Sequence, residues 1–327
     1  MQQQLDRLRS RLGAQAARGF FEGVSRLGRL HPLARPSRHG VEVLRDIAYL
    51  PTGRAEHRLD IYRPTTPGPH PALLYVHGGG FRILSKDTHW LMGLAFARRG
   101  FAVFNVGYRL APRHPYPAAV EDVCAAYAWV AQHAADYQAD PQRLVLAGES
   151  AGANLALSLA VAACFRRPEP WARAVFDAGV VPAAVLPACG MLQVTDPERF
   201  KRKSPKMLQF IEDRILEVTH GYVGRHAQPG GPGLDLADPL LVLEGDAQPD
   251  RPLPPMFAPV GTADVLLDDS RRLGAAMARR DGRCEVAYYP GEPHAFHAFV
   301  MREGARKCWA DTFRFLERVG FELATPA

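Results

Sequence analysis

The chain has 327 residues and a mass of 36.0 kDa, which suits one α/β domain carrying an inserted cap. It has no apolar run near the length of about 18 residues that a transmembrane helix needs, and its N-terminus lacks the apolar segment of a secretory signal. We therefore expect a cytoplasmic protein without stable membrane insertion. Five cysteines without C-x-x-C spacing favour reduced thiols over a disulfide framework.

The first 40 residues carry an excess of positive charge. They hold eight arginines against two acidic residues, and the resulting net charge equals the +6 of the whole chain. Apolar residues recur here at helical spacing, namely Leu5, Leu8, Leu12, Ala16, Phe20, Val24 and Leu27. The pattern predicts an amphipathic helix, which either lies on an anionic membrane surface or covers the protein as a cap. No nucleic-acid reader motif is present, so we expect no nucleic-acid partner.

Beyond this segment, short apolar runs alternate with helical patterns. Residues 41–50 and 57–62 predict an antiparallel strand pair joined by a Pro-Thr-Gly turn. Buried strands are predicted at 72–76, 102–108, 144–147, 183–189, 256–260 and 285–289, and helices at 87–99, 118–137, 151–165, 268–280 and 296–319. This alternation indicates an α/β fold with a mostly parallel central sheet, covered by helices on both faces.

Residues 190–250 interrupt the alternation. They contain a helical apolar pattern at 207–222 and a loop rich in proline and glycine at 228–233. We predict that this insertion forms a helical cap that shapes a pocket. A long excursion without a role in substrate choice is the alternative.

A glycine-rich motif follows the first buried strand of the predicted parallel sheet. His77-Gly78-Gly79-Gly80-Phe81 comes directly after the run at 72–76, and H-G-G-G is the oxyanion-loop motif of lipases and esterases. Glycine suits this task because backbone N–H groups must face a substrate oxygen without side chains in the way. A phosphate-binding loop is the competing interpretation, but neither G-K-[ST] nor G-x-G-x-x-G is present.

The most informative motif is Gly148-Glu149-Ser150-Ala151-Gly152. It closes the apolar run at 143–147 and opens a run of small residues at 153–157. Strand, sharp turn and helix is the context of a G-x-S-x-G nucleophile elbow, whose serine is exposed by a strained turn. We therefore predict Ser150 as the nucleophile, and the N–H groups of Gly79, Gly80 and Ala151 as the oxyanion hole.

With both motifs, the chain resembles the hormone-sensitive-lipase family of α/β-hydrolases over residues 57–320. Further family-like stretches are Tyr108-Arg109-Leu110-Ala111-Pro112, Pro115-Tyr116-Pro117-Ala118-Ala119, Gly261-Thr262-Ala263-Asp264 and Gly291-Glu292-Pro293-His294-Ala295-Phe296. The resemblance implies cap helices at residues 1–45, a catalytic core at 46–189 and 251–327, and a cap insertion at 190–250. It favours a cap over a membrane-binding helix at the N-terminus. It also leaves a homodimer open, because family members often pair through the last strand.

Acyl transfer through a serine needs a base and an acid that orients this base, in the chain order Ser, Asp or Glu, then His. Asp264 directly follows the strand at 256–260, in the loop where catalytic groups of such sheets gather. Asp268 and Asp269 compete with it, but they fall where the next helix begins and suit first-turn acids.

His294 is the predicted base. It lies in the loop after the last strand and precedes a small residue and a phenylalanine, as in the resembled family. His297 is expected to begin the final helix and to face elsewhere. The two histidines could also suggest a metal, but no carboxylate or cysteine at zinc-ligand spacing accompanies them, so we expect none.

These residues predict a serine carboxylic-ester hydrolase that acts on short- to medium-chain acyl esters through an acyl-enzyme. Its partner would be a small-molecule ester, and it would need no cofactor. Hydrolysis of amides or lactones, or acyl transfer to alcohols, would use the same triad and stays open. The other alternative is a non-catalytic small-molecule receptor on the same fold. Plant gibberellin receptors of this kind lack the histidine, so His294 argues against it.

Overall fold

One eight-stranded sheet organises the chain, of which the computed structural model describes residue 19 and residues 22–325. Its spatial order is β1-β2-β4-β3-β5-β6-β7-β8. The strands are β1 (Val41–Ala48), β2 (Arg58–Pro64), β3 (His70–Val76), β4 (Ala102–Val106), β5 (Ala139–Glu149), β6 (Ala184–Ala188), β7 (Met256–Gly261) and β8 (Cys284–Tyr289). Strand β2 runs antiparallel to β1 and β4, and every other neighbouring pair is parallel. The predicted mostly parallel sheet, with its antiparallel strand pair, is confirmed.

Helices cover both faces of this sheet. They are α1 (residues 22–30), α2 (Trp90–Ala97), α3 (Ala118–His133), α4 (Ala151–Cys164), α5 (Pro170–Asp177), α6 (Glu198–Lys203), α7 (Gln209–Tyr222), α8 (Pro239–Glu244), α9 (Leu267–Ala278) and α10 (Glu303–Arg318). Alternate residues of β3 point to opposite faces. Leu74 and Val76 join the buried cluster that contains α3 and α4, whereas Leu73 and Tyr75 join the cluster that contains α2 and α10. Burial on both faces explains why these strands are continuous apolar runs.

The last helix begins later than the sequence predicts. A helix over residues 296–319 is expected, but α10 begins at Glu303 and residues 296–298 form a separate 3-10 turn. The predicted start is wrong because Phe296, the first residue of the predicted helix, packs against the sheet. Phe296 is fully buried and packs against Tyr289 of β8, with ring centroids 5.0 Å apart.

The segment at residues 190–250 lies between β6 and β7 and carries α6, α7 and α8. The buried carboxylate of Asp269, on α9, fastens it to the core: it accepts hydrogen bonds from the Arg199 guanidinium at 2.7 Å and from the N–H of Leu192 at 2.9 Å. Inside the segment, Asp238 accepts the N–H of Val194 at 2.6 Å. The role of this segment as a cap stays a prediction, and the predicted boundary between residues 45 and 46 falls inside β1.

The N-terminal helix α1 contacts the core through small and polar residues. Trp90 Nε1 donates to the carbonyl oxygen of Ser25 at 3.2 Å, and a Cβ on Gly28 would lie 3.2 Å from the Trp90 ring. Val24 and Leu27, which belong to the predicted apolar stripe, are 47% and 69% exposed. Over residues 22–30 the stripe therefore does not face the core. Its other members, Leu5, Leu8, Leu12, Ala16 and Phe20, lie outside the described residues.

Within residues 22–325, no helix combines the length and apolarity that crossing a bilayer requires. All five cysteines are free thiols; Cys284 is partly buried and the other four are buried. Burial raises the pKa of each of these thiols, which keeps them protonated at neutral pH.

Candidate active site

Ser150 occupies a strained turn between β5 and α4. Its backbone has φ 56° and ψ −118°, in the positive-φ region that side chains rarely adopt. The two glycines of the motif permit the close backbone contacts of this turn. A Cβ on Gly148 would lie 2.5 Å from the carbonyl oxygen of Gly152, and one on Gly152 would lie 2.1 Å from that of Val76. Strand and helix can therefore meet this closely only with glycine at both positions.

Loops at the carboxyl ends of three strands bring Ser150, His294 and Asp264 together. Ser150 follows β5, Asp264 follows β7 and His294 follows β8. His294 Nε2 lies 2.9 Å from Ser150 Oγ, and His294 Nδ1 lies 2.9 Å from Asp264 Oδ2. The second oxygen of Asp264 accepts the N–H of Leu266 at 2.8 Å, which orients the carboxylate. The three side chains form one hydrogen-bonded chain from carboxylate to imidazole to hydroxyl.

The environment of His294 favours proton transfer from Ser150. Its side chain is 37% exposed, whereas that of Asp264 is fully buried. Burial disfavours the imidazolium, but the Asp264 carboxylate outweighs burial and raises the pKa of His294 above its usual value. Donation from Nδ1–H to the carboxylate leaves Nε2 as the acceptor for the serine hydroxyl. This arrangement can activate an oxygen nucleophile.

The glycine-rich loop after β3 offers unpaired backbone donors. Gly79 and Gly80 have φ values of 110° and 59°, and neither of their N–H groups donates to an acceptor in the described part of the chain. Ala151 is the first residue of α4, a position whose N–H has no partner inside the helix. Free N–H groups of this kind are what an oxyanion hole requires.

Helix α7 of the insertion packs against the same loop. Phe81 stacks on Tyr222 with ring centroids 3.8 Å apart. A Cβ on Gly80 would lie 2.6 Å from Val218 Cγ2, so a glycine is needed for this contact. The insertion therefore touches the loop that carries the predicted oxyanion donors.

Tyr108, from one of the family-like stretches, supports the loop from within the core. Its hydroxyl donates to the carbonyl oxygen of His77 at 2.8 Å, and its ring stacks on the His77 ring with centroids 4.2 Å apart. Asp122 in turn binds the backbone N–H of Arg109 at 2.8 Å and its guanidinium at 2.7 Å. These contacts hold the residues next to the glycines in place.

Glu149 is a candidate functional residue that the sequence reasoning did not assign. It is 5% exposed and precedes Ser150. Its carboxylate accepts the backbone N–H of Gly78 at 2.6 Å, and it also binds His89 Nε2 and the Tyr75 hydroxyl. Burial opposes ionisation of this carboxyl, but His89 outweighs burial and lowers the pKa of Glu149 to about 2. The only sequence signal for this role is its place beside Ser150 in the G-x-S-x-G motif.

His297, Asp268 and Asp269 are the alternatives to His294 and Asp264 in the sequence. The prediction that His297 begins the last helix is wrong, because His297 lies in the 3-10 turn before α10. It is buried there, and burial lowers its pKa to about 4. His294 is the histidine that contacts Ser150. Asp268 pairs with Lys203 at 3.0 Å, and Asp269 binds Arg199; both lie in the first turn of α9.

Cys189 lies beside the Asp264–His294 pair. Among the described residues these three form a group whose potential metal-ligand atoms all lie within 4.8 Å of one another. The Asp264 and His294 atoms are already joined by a hydrogen bond. Burial raises the pKa of Cys189 well above its usual value, so its thiol stays protonated. We therefore assign the aspartate and the histidine to the hydrogen-bonded chain and not to a metal.

Comparison with known proteins finds the same architecture. A family described by the alpha/beta hydrolase fold matches residues 73–298. An esterase from Mycobacterium marinum is 24% identical, with a TM-score of 0.73 over 94% of this chain and 90% of that chain. An esterase from Pyrobaculum calidifontis is 25% identical, with a TM-score of 0.70 over 91% of each chain. An esterase/lipase from an uncultured bacterium is 26% identical, with a TM-score of 0.64 over 86% of this chain and 85% of that chain.

Proposed function

The chain belongs to the α/β-hydrolase family, which matches residues 73–298, and we propose that it is a serine esterase that cleaves small carboxylic esters. The observation that carries this proposal is the hydrogen-bonded chain from Asp264 through His294 to Ser150, in a strained turn. The similar proteins from Pyrobaculum calidifontis and an uncultured bacterium are named as esterases, which supports an ester as the substrate.

The mechanism follows from the geometry. His294 Nε2 takes the Ser150 proton as Oγ attacks the ester carbonyl carbon, and Asp264 stabilises the imidazolium that forms. The N–H groups of Gly79, Gly80 and Ala151 donate to the resulting oxyanion. The tetrahedral intermediate collapses, the alcohol leaves with the proton from His294, and the acyl group stays on Oγ. A water that loses its proton to His294 then attacks the acyl carbon, which releases the acid and restores Ser150.

A substrate panel tests the proposed activity. We expect the purified protein to hydrolyse p-nitrophenyl esters, with short- to medium-chain acyl groups preferred over long ones. Matched p-nitroanilides and lactones, together with an added alcohol as acyl acceptor, measure the alternative reactions. A protein that cleaves anilides but none of the esters would contradict the assignment as an esterase.

The raised pKa of His294 predicts an acid limb in the pH profile. The base must be neutral to accept a proton, so kcat/KM should fall as the pH drops through the His294 pKa, with a midpoint above the ordinary histidine value of about 6.5. Asp264→Asn removes the carboxylate that raises this pKa. It should lower kcat by about 10,000-fold and move the acid limb to lower pH. A limb that stays in place in this variant would show that Asp264 does not act on His294.

Deleting residues 1–40 tests the proposed N-terminal cap. We expect the deletion to lower kcat/KM on butyrate to hexanoate esters, because α1 contacts Trp90 in the segment after the oxyanion loop. We also expect the intact protein to bind vesicles only weakly. In the membrane hypothesis, each basic residue near an anionic surface contributes about 1 kcal/mol to binding. Sedimentation with anionic vesicles at physiological salt separates the two, and neutral vesicles are the control. Strong co-sedimentation that the deletion abolishes, with kinetics on soluble esters unchanged, would overturn the cap.

A further inference from the structure

The carboxylate of Glu149 joins three segments that are distant in sequence. Its Oε1 accepts the N–H of Gly78 at 2.6 Å and lies 2.6 Å from His89 Nε2, while Oε2 accepts the Tyr75 hydroxyl. Glu149 precedes the nucleophile, and Gly78 precedes the two glycines whose N–H groups are unpaired. One side chain therefore connects the nucleophile turn with the oxyanion loop.

The close approach of Gly78 to Glu149 depends on glycine. A Cβ on Gly78 would lie 2.8 Å from Glu149 Oε1 and 2.8 Å from the Glu149 carbonyl oxygen. Any other residue would push the loop away and break the hydrogen bond to the carboxylate. Because Gly79 and Gly80 follow directly, a shift at Gly78 would displace the peptide groups whose N–H groups face the oxyanion.

His89 is the charged partner of this carboxylate. Its Nδ1 lies 3.1 Å from the carbonyl oxygen of Ser85, and its Nε2 lies 2.6 Å from Glu149 Oε1. Nδ1 also lies 2.9 Å from the Thr88 hydroxyl, which itself donates to the Ser85 carbonyl oxygen at 2.7 Å. Because the carbonyl and the carboxylate can only accept, these contacts favour donation from both ring nitrogens and so the imidazolium form. Burial disfavours this charge, but Glu149 outweighs burial and raises the pKa of His89.

Two histidines and two tyrosines packed around this pair are neutral. Burial lowers the pKa of His77 to about 3 and that of His297 to about 4. Burial also raises the pKa of the Tyr75 and Tyr108 hydroxyls well above their usual value. Glu149 and His89 thus favour each other's charged form within this cluster, and charge-assisted hydrogen bonds of this kind are roughly twice as strong as neutral ones.

We propose that Glu149 and His89 are positioning residues that hold the oxyanion loop in register with the nucleophile turn. The inference rests on the proposed function of Ser150 and of the glycine N–H groups. Glu149 acts through Gly78 and does not touch the substrate. Its loss should weaken stabilisation of the oxyanion more than binding of the ground-state ester, since only the transition state carries the full negative charge.

The test compares Glu149→Ala with Asp60→Ala. Asp60 is an equally buried carboxylate, which binds Lys86 at 2.8 Å and belongs to no part of the proposed site. We expect Glu149→Ala to lower kcat by about 100-fold, with KM changed less than about threefold, since losing one oxyanion donor has an effect of this size. The Ki of a trifluoromethyl ketone, which forms an oxyanion adduct on the serine, should rise in parallel. Asp60→Ala should lower the Tm with kcat and Ki near the wild-type values.

Glu149→Gln decides the question if the alanine variant does not fold. The amide keeps an oxygen that can accept the Gly78 N–H, but it loses the charge that pairs with His89. We expect kcat to fall by about tenfold at unchanged KM. Wild-type kcat and Ki in a folded Glu149 variant, with only the Tm lowered, would overturn the positioning role while leaving the esterase proposal intact. A wild-type protein that neither hydrolyses esters nor binds the ketone would instead contradict the proposed function itself.

Discussion

Ser150→Ala is expected to leave a folded protein whose ester hydrolysis is at least about 1,000-fold slower than that of the wild type. The covalent route disappears because the methyl group cannot form an acyl-enzyme. The free N–H groups and the binding surface persist, so a small residual rate and a similar KM should remain. Alanine is smaller than serine, and the backbone φ of 56° at this position is equally unfavourable for both residues. The variant should therefore fold.

Ser158→Ala is the matched control for this change. Ser158 lies on α4 after the nucleophile turn, is fully buried, and shares its hydroxyl hydrogen between the carbonyl oxygens of Asn154 and Leu236, at 2.9 and 2.8 Å. It should lose some stability but keep the activity. Mass spectrometry after reaction with a fluorophosphonate should find label only in the peptide that contains Ser150. Near-parental turnover of Ser150→Ala, or label on another serine, would exclude Ser150 as the nucleophile.

His294→Ala should be as damaging to kcat as the serine change, whereas His297→Ala should keep most of the activity. His294 Nε2 lies 2.9 Å from Ser150 Oγ, and His294 is the only side chain among the described residues that is hydrogen-bonded to this oxygen. Without this base, the serine hydroxyl attacks as a poor nucleophile. His297 is buried and neutral near the site, with its carbonyl oxygen bound to Trp309 Nε1 at 3.0 Å. Its truncation should therefore lower the Tm through lost packing.

Steady-state kinetics of the two variants at pH 8, together with thermal unfolding of both, separate catalysis from stability. The expected pattern is a folded, inactive His294 variant and an active, less stable His297 variant. If the His297 variant were the inactive one while its unfolding stayed cooperative, the base would be His297 and the assignment in the last loop would be wrong.

Local features of the sequence were enough to predict most of the fold. Apolar runs and helical patterns are set by neighbouring residues, so the strands at 72–76 and 256–260 and the helix at 151–165 appear in the structure near their predicted places. The motifs are local in the same sense. Gly148 is needed where the backbone approaches Gly152 a few residues later, and this requirement is visible without knowing the rest of the chain, whereas Gly152 is needed because it approaches Val76 in the distant strand β3.

Contacts between distant segments could not be predicted in this way. Residues 296–301 contain an apolar run, yet Phe296 packs on β8 while Met301 is 86% exposed, so α10 begins later than periodicity suggests. Val24 and Leu27 have helical spacing, but the side of α1 that meets Trp90 carries Ser25 and Gly28. Periodicity reports that a face is apolar and does not report what that face contacts.

For the candidate site, too, some features could be predicted from the sequence and others only from the tertiary structure. The sequence by itself was enough to predict Ser150, Asp264 and His294 as the nucleophile, the acid and the base, because residue type, chain order and loop position are all visible in it. Only the tertiary structure decided that Glu149 binds Gly78 and His89, and that α7 packs on the oxyanion loop. These contacts arise where strands and loops far apart in the chain meet at one edge of the sheet. Their geometry depends on how the whole sheet and its helices pack, which no local pattern encodes.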